Sequence, residues 1–203
     1  MEMSFKILNI MSGTKEYWTM PKKTLFHNTI SLIISQKIPF HEGREIRQKL
    51  FSELGKYDII YDEFKKISNN KLKEIGISET KINCIEIVIK LFEDCHDDDN
   101  INIITKLALV KGIGSWTIKS LYILSNLDEY NDIFLIEDYW IRKQIKILYG
   151  LNKVPSEKEV REMDIMKPWK GNQSNISRFL WRLKTEGAIA IINGVSLERH
   201  HFL

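Results

Sequence analysis

The stretch LALVKGIGSWT, residues 107–117, decides the fold prediction for this chain of 203 residues. Gly112 and Gly114 bracket the apolar Ile113 between two segments whose apolar residues recur with helical spacing. Glycine adopts positive φ angles and lets a backbone approach another molecule closely. The stretch therefore predicts a hairpin of two helices, in which Ile113 points inward and pins them together.

The turn of this hairpin has the chemistry of a phosphate-binding site. The first turn of a helix presents N–H groups that no carbonyl of the same helix accepts, and such groups bind phosphate. We expect contacts from the backbone around Ser115 and Thr117, with Lys111 and Lys119 as cationic neighbours. Taken alone, a Gly-x-Gly motif more often marks a simple helix connection. Phosphate contacts would position a duplex without reading its sequence.

An acidic pair follows one helix later. The apolar residues 134–136 lead into Glu137 and Asp138, and residues 139–149 have the pattern of another helix. Aspartate at this position is typical of a helix N-cap, which would hold the carboxylate rigidly. Asp138 is thus a capping residue, a catalytic carboxylate, or both.

Helical spacing continues through most of the chain, so we expect an all-α fold of about ten helices. The last clear helix is predicted within residues 175–186 and ends at Gly187, and the tail 188–203 is predicted as a strand pair or a loop. Other residues that end or cap helices are Pro39, Gly55, Gly76 and the capping-box pair of Ser156 and Glu159.

The composition excludes several classes of protein. A net charge of +3 is mildly basic, which is compatible with nucleic-acid binding without requiring it. Two cysteines, Cys84 and Cys95, cannot build a disulfide framework, a four-cysteine zinc site or an iron–sulfur cluster. The apolar stretch 25–38 is too short and too often interrupted for a membrane span. With no signal-peptide pattern, we expect an intracellular, cytoplasmic protein.

Four segments occur in this order: IISQKIP at 33–39, LKEIGISETK at 72–81, VKGIGSWT at 110–117 and FLIEDY at 134–139. Together they resemble the helix-hairpin-helix (HhH-GPD) DNA glycosylase superfamily, specifically its alkylbase branch, the 3-methyladenine DNA glycosylase II type. The resemblance spans residues 22–186. A fifth segment, KPWK at 167–170 with FLWR at 179–182, matches less well. One segment alone would be weak evidence, whereas all of them in order are specific.

The resemblance implies two helical lobes around a DNA-binding cleft. Residues 35–136 would form a six-helix barrel that ends in the hairpin. Residues 1–34 and 137–203 would form the second lobe of one compact unit, with Asp138 in the cleft. The implied partner is double-stranded DNA containing a damaged base, and we expect a monomer that contacts no membrane.

The activity implied by the resemblance is excision of alkylated purines, chiefly 3-methyladenine and also 7-methylguanine, in base excision repair. Asp138 would stabilise the positive charge that develops on the sugar and activate a water. Members that also cleave the strand carry a lysine two residues after the second hairpin glycine, where this chain has Trp116. The resemblance therefore implies a monofunctional enzyme. Lys119 is a remote candidate for Schiff-base chemistry, and we favour it as a phosphate contact.

The damaged base must leave the duplex to reach the carboxylate, and a wedge residue then fills the gap. By the resemblance, Gln36 and Lys37 occupy the wedge position, and an ordinary helix end before Pro39 is an equal alternative for both. Alkylated purines such as 3-methyladenine are cationic, and aromatic faces attract cations. The candidates for an aromatic base pocket are Trp116, Trp18, Tyr139, Tyr122 and Trp181. We favour Trp116, which follows the hairpin next to the cleft. For each of the others, packing in the core explains an aromatic residue at least as well as contact with a base does.

The sequence departs from the family at Lys111, where proline is usual, and at Ile118, where alanine is usual. We expect no cofactor and no metal ligands, although the resemblance allows a monovalent cation held by hairpin carbonyls. Two alternatives stay open. One is a glycosylase for oxidised or mismatched bases of the 8-oxoguanine type. The other is a non-catalytic helix-hairpin-helix DNA-binding protein.

Overall fold

The computed structural model describes residues 1–19, 21–95, 97–126 and 132–202. Within these ranges the chain is helical, with no strand beyond one isolated bridge between Leu183 and Phe202, which confirms the all-α prediction. None of the described helices is long and apolar enough to cross a membrane. Backbone contacts divide the chain into two units. The first comprises the described residues of Met1–Pro21 and Asn126–Leu203, and the second is Lys22–Ser125.

The two units share the described helices in the following order. The first unit begins with α1 (Glu2–Gly13) and α2 (Lys15–Trp18). The second unit contains α3 (Leu25–Ser35), α4 (Phe40–Leu54), α5 (Tyr61–Phe64), α6 (Asn69–Ile75), α7 (Glu79–Asp94), α8 (Asn100–Leu107) and α9 (Ser115–Leu124). The first unit then resumes with α10 (Tyr139–Leu148), α11 (Glu157–Glu162), α12 (Gln173–Arg182) and α13 (Thr185–Ile192), and with 3-10 turns at Lys167–Trp169 and Arg199–His201.

The core of the second unit is built around α3. This helix is buried on nearly every side, its polar residues His27, Asn28 and Thr29 included, and it packs against α4, α7 and α9. The ring of Phe26 makes edge contacts with Phe64 and Phe92, at centroid distances of 5.7 and 5.1 Å. Because of this packing, α3 groups with the middle of the chain. The unit boundaries therefore fall before residue 22 and after residue 125, whereas the sequence analysis drew them before 35 and after 136.

A buried histidine lies within α3. The Nδ1 atom of His27 accepts a hydrogen bond from the backbone N–H of Ile59 at 3.0 Å. Burial lowers the pKa of His27 from 6.5 to about 4; Lys23 and, more weakly, Arg47 lower it further, while Asp58 opposes them. His27 is therefore neutral in the folded protein at neutral pH.

Because of His27, we expect the folded protein to lose stability in mild acid. The pKa of His27 is 6.5 in the unfolded chain and about 4 in the folded protein, so the unfolded state binds more protons between these values. The contribution of His27 to the free energy of unfolding is fully present above pH 6.5 and falls as the pH drops through this window, by about 2 kcal/mol at pH 5. Thermal unfolding at pH 7 and pH 5 should show a smaller fall for His27→Gln than for wild type. His41→Gln, at an exposed position of α4, is the control, and equal falls in all three proteins would contradict the assignment.

The first unit packs α10 against α12 and α13, and α1 against α12 and the turn Lys167–Trp169. Trp169 is fully buried, and its Nε1 donates a hydrogen bond to the carbonyl of Ser4 at 3.2 Å. Helix α1, whose inward face includes Ile7 and Met11, was not predicted from the sequence. This packing fixes both ends of the chain in one unit.

The prediction that a helix ends at Gly187 is wrong. Helix α12 ends at Arg182, and Gly187 lies inside the next helix, α13. A Cβ atom at this position would lie 2.9 Å from the carbonyl oxygen of His201 and 2.7 Å from the side chain of Leu183. Gly187 therefore permits a close approach of two segments. The tail is consequently neither a strand pair nor a plain loop, because it contains most of α13 and a 3-10 turn.

Most of the other predicted boundaries are confirmed. Gly55 and Gly76 follow α4 and α6 in the left-handed conformation, and Ser156 with Glu159 forms a capping box. Pro39 does not end α3 directly, because that helix stops at Ser35 and the proline instead precedes α4. The described ranges contain 13 α-helices, more than the ten expected, since several are only one or two turns long.

Candidate functional site

The predicted hairpin is formed by α8 and α9, which pack against each other in the second unit. Ile113 is buried in its turn, at the inward position that the sequence analysis gave it, and its N–H donates to the carbonyl of Val110 at 3.0 Å. Lys111 and Ser115 are exposed on either side. The turn thus has an apolar inner face and a polar outer face.

The two hairpin glycines serve different purposes. Gly112 has φ 101°, and a Cβ atom there would lie 3.3 Å from the sulfur of Cys84, so both its conformation and its packing favour glycine. Gly114 has φ −99°, which any residue can adopt, and it is the N-cap of α9. Nothing in the described structure lies within 4 Å of a Cβ atom at Gly114. The outer surface at the start of α9 is therefore open to an approaching molecule.

The loop after α3 is tied to this hairpin. The side-chain Nε2 of Gln36 donates to the carbonyl of Gly112 at 3.1 Å and to the hydroxyl of Thr117 at 3.0 Å. Lys37 follows with φ 54° and is exposed. Of the two predicted wedge residues, Gln36 thus has its amide bound to the hairpin, and Lys37 lies at the open tip of the loop.

Two further cations support the same loop. The ammonium of Lys81 donates to the carbonyl of Ile34 at 2.7 Å, and burial lowers the pKa of this lysine. The guanidinium of Arg47 donates to the hydroxyl of Ser35. Positive charge at the C-terminal end of a helix is favourable, and these groups also bind its last polar atoms. Sequence reasoning gave neither residue a role, since both come from other helices.

The other predicted residues of the second unit lie along α9. Trp116 is half-buried in the first turn, where its carbonyl accepts a hydrogen bond from Ser120 at 2.6 Å. Lys119 and Tyr122 are half-buried further along the helix. Their roles in base or phosphate binding stay predictions.

Asp138 belongs to the first unit and caps α10. Its Oδ1 accepts a hydrogen bond from the N–H of Ile141 at 3.0 Å, and its own N–H donates to the carbonyl of Leu135 at 3.1 Å. The side chain is half-buried. The capping geometry predicted from sequence is confirmed, and it fixes the direction of the carboxylate.

Two buried serines of α12 hold the segment that leads to Asp138. The hydroxyl of Ser177 accepts the N–H of Leu135 at 3.0 Å, and the hydroxyl of Ser174 accepts the N–H of Ile133 at 3.2 Å. Extended backbone that enters a core must have its polar groups satisfied. Sequence reasoning missed both serines, and their spacing of three residues along α12 is a signal that could have indicated them.

The remaining predicted pocket aromatics lie in the first unit. Trp18 is only 3% exposed, and its Nε1 donates to the carbonyl of Met11 at 2.9 Å, while its ring meets Phe179 edge-on at 6.4 Å. Core packing accounts for these contacts without a ligand. Trp181 is half-buried, and Tyr139, beside Asp138, is 62% exposed. Tyr139 is therefore the more accessible candidate of the three.

The described residues contain no group of three or more histidine, cysteine or acidic side chains arranged to hold a metal ion. Cys84 and Cys95 are both buried and unpaired with each other. A cation at the hairpin and the absence of a cofactor stay predictions.

The fold and the hairpin define a class of protein. The sequence profile of the HhH-GPD superfamily of base excision DNA repair proteins matches residues 30–170, which include the hairpin and Asp138. Since the match covers more than half of the chain, this protein belongs to that superfamily.

Two glycosylases and one solved structure are similar to this chain over different shares of its length. DNA-3-methyladenine glycosylase 1 of Schizosaccharomyces pombe is 26% identical over 199 residues, covering 85% of this chain and 84% of the relative. DNA-3-methyladenine glycosylase of Bacillus subtilis is 35% identical over 77 residues, covering 38% of this chain and 24% of the relative. The solved structure of S. pombe 3-methyladenine DNA glycosylase in complex with abasic DNA superposes with a TM-score of 0.64 at 22% identity, covering 80% of this chain and 82% of that one.

The bond between loop and hairpin gives a testable prediction. Gln36→Leu removes two hydrogen bonds, each of which contributes about 1 kcal/mol to the order of the loop, and should weaken binding to duplex DNA by up to about thirtyfold. Thr117→Val should add nothing to this effect, since Gln36→Leu already removes the hydrogen bond that Thr117→Val breaks. DNA affinities from fluorescence anisotropy check this, with Gln48→Leu on the exposed side of α4 as the control. Additive effects would refute the bond's role.

Proposed function

We propose that this protein is a monofunctional DNA glycosylase that excises alkylated purines, chiefly 3-methyladenine, from duplex DNA in base excision repair. The observation that carries the proposal is Asp138, a carboxylate held at the start of α10 by a capping bond and by the serine-anchored segment before it. The names of its relatives from S. pombe and B. subtilis support the choice of substrate.

In the proposed complex, the hairpin binds a phosphate of the DNA backbone. The N-terminus of α9 supplies N–H groups and the positive end of the helix dipole. The open surface at Gly114 lets the DNA backbone approach, and the exposed Lys111 adds a cation. The bond between Gln36 and Gly112 places the exposed Lys37 next to the hairpin, where it serves as the wedge.

The chemical step needs one carboxylate and one water. The N-glycosidic bond breaks and its electron pair leaves with the base, so positively charged 3-methyladenine departs as a neutral molecule. Asp138 stabilises the resulting charge on the sugar and accepts a proton from the water that adds to C1′. The products are the free base and an abasic site.

Trp116 decides how the reaction ends and contributes to recognition. Because this position holds tryptophan, the start of α9 offers no amine there to attack the sugar. Its half-buried indole presents an aromatic face, which attracts a cationic base. We further propose that the protein acts as a monomer on a duplex that contains one damaged base.

A screen of released bases tests the proposal. The wild-type protein is incubated with methylated duplex DNA and with oxidised duplex DNA, and the free bases are separated by chromatography. We expect 3-methyladenine from the first substrate and no 8-oxoguanine from the second. Release of 8-oxoguanine with borohydride trapping would favour the oxidised-base alternative, and DNA binding without any release would favour a non-catalytic protein.

A further inference from the structure

A cleft in the first unit is lined by none of the residues to which we assign base excision. Its volume is about 680 Å³, a size typical of small-molecule sites. Its described lining residues come from α2, from the end of α12 and from the C-terminal 3-10 turn. They are Glu16, Tyr17, Thr19, Arg182, Arg199 and Phe202.

The base of this cleft is a rigid aromatic cluster. The ring of Phe202 lies 5.8 Å from that of Tyr17 and 5.9 Å from that of Phe179. The bridge between Leu183 and Phe202 and a hydrogen bond of 2.8 Å from the N–H of Lys184 to the carbonyl of His201 join two segments of backbone. These segments carry the two arginines of the lining.

The two arginines of the cleft form no ion pair with another described residue. The Nε atom of Arg182 is buried and has no hydrogen-bond partner in the described part of the chain, and burial lowers the pKa of its guanidinium. Neither Arg182 nor Arg199 has an ion-pair partner within the same residues, and the one carboxylate of the lining, Glu16, is exposed. A poorly solvated, unpaired cation is costly, and an anionic ligand would remove that cost.

The chemistry of the two guanidinium groups indicates which anion the cleft would bind. Guanidinium groups bind phosphate oxygens through paired hydrogen bonds, and two of them face this cleft. The ring of Tyr17 is half-buried beside them, and aromatic rings stack on nucleobases. We propose that the cleft binds a nucleotide, with its phosphate on Arg182 and Arg199 and its base against Tyr17.

Calorimetric titration tests this site. Wild-type protein is titrated with 5′-deoxyadenosine monophosphate and with deoxyadenosine, which lacks the phosphate. We expect the monophosphate to bind and deoxyadenosine to bind at least about tenfold more weakly, since the charge-assisted bonds are lost. Arg182→Gln and Arg199→Gln should each weaken binding of the monophosphate by a similar factor. The exposed Arg199 provides a variant that leaves the buried part of the cleft intact.

The matched control is Arg161→Gln, an exposed arginine of α11 in the same unit, which should bind like wild type. No binding of the monophosphate to wild type, or equal binding by all three variants, would overturn the proposal. A lesion-free duplex added as competitor distinguishes two sources of the ligand. If the duplex displaces the monophosphate, the ligand of the cleft is a nucleotide within a DNA strand. If the duplex does not displace it, the ligand is a free nucleotide.

Discussion

Asp138→Asn is expected to slow release of 3-methyladenine from methylated duplex DNA by a factor between about a hundred and about ten thousand. The substitution removes the negative charge that stabilises the sugar and accepts the proton of the water. Asparagine caps helices about as well as aspartate, so α10 and the thermal stability should be retained. Single-turnover release at saturating enzyme measures the chemical step without the contribution of DNA binding.

A second capping aspartate provides the matched control. Asp99 caps α8, because its Oδ1 accepts a hydrogen bond of 2.8 Å from the N–H of Asn102. Asp99→Asn makes the same chemical change at a helix start to which no catalytic role is assigned, and it should leave the rate unchanged. Equal rates for Asp138→Asn and wild type would show that Asp138 only caps a helix.

Substitution of either hairpin glycine is expected to have the second large effect, on the affinity for DNA. Gly112→Ala forces a Cβ atom into a conformation with φ 101° and within 3.3 Å of Cys84, so it should lower the melting temperature and weaken DNA binding at least about tenfold. Gly114→Ala meets no atom of the described chain, so it should keep the melting temperature. Its methyl group would still obstruct the approaching DNA backbone and weaken binding. Anisotropy and thermal unfolding together separate the two causes.

Gly55→Ala is the control for backbone strain in the same unit. Gly55 has φ 66° and nothing within 4 Å of its Cβ position, and it lies at the end of α4. This variant should lose stability without losing DNA affinity. Wild-type affinity in Gly114→Ala would contradict the contact between DNA and the start of α9.

Local patterns predicted the parts of the site that depend on neighbouring residues. The turn of Gly112 and Ile113, and the cap formed by Asp138, each involve residues within a few positions of one another. Backbone conformation and helix capping are short-range effects, so a single sequence is enough to indicate them.

Contacts between distant residues were not predictable in the same way. Gln36 and Thr117 are 81 positions apart, and Ser177 and Leu135 are 42 apart. Such pairs depend on how the helices pack against one another. The spacing of apolar residues indicates which face of a helix is buried, but it does not indicate which helix covers that face. The sequence could therefore suggest Gln36 as a wedge but not its bond to the hairpin.

The wrong prediction that a helix ends at Gly187 also arises from a contact between distant residues. Glycine after an apolar helix commonly ends it, because glycine adopts the left-handed conformation with little strain. Here the glycine is helical, and what excludes a side chain is the carbonyl of His201, which only the folded structure brings close. Glycine alone does not distinguish a helix end from a close approach.

The most direct measurement counts products from one wild-type reaction on methylated duplex DNA. The number of 3-methyladenine molecules released is compared with the number of abasic sites, and strand breaks are counted before and after alkaline treatment. The proposed water mechanism predicts equal numbers of free bases and abasic sites, with strands intact until alkali is added. Strands broken before alkali, or no base released at all, would contradict the account.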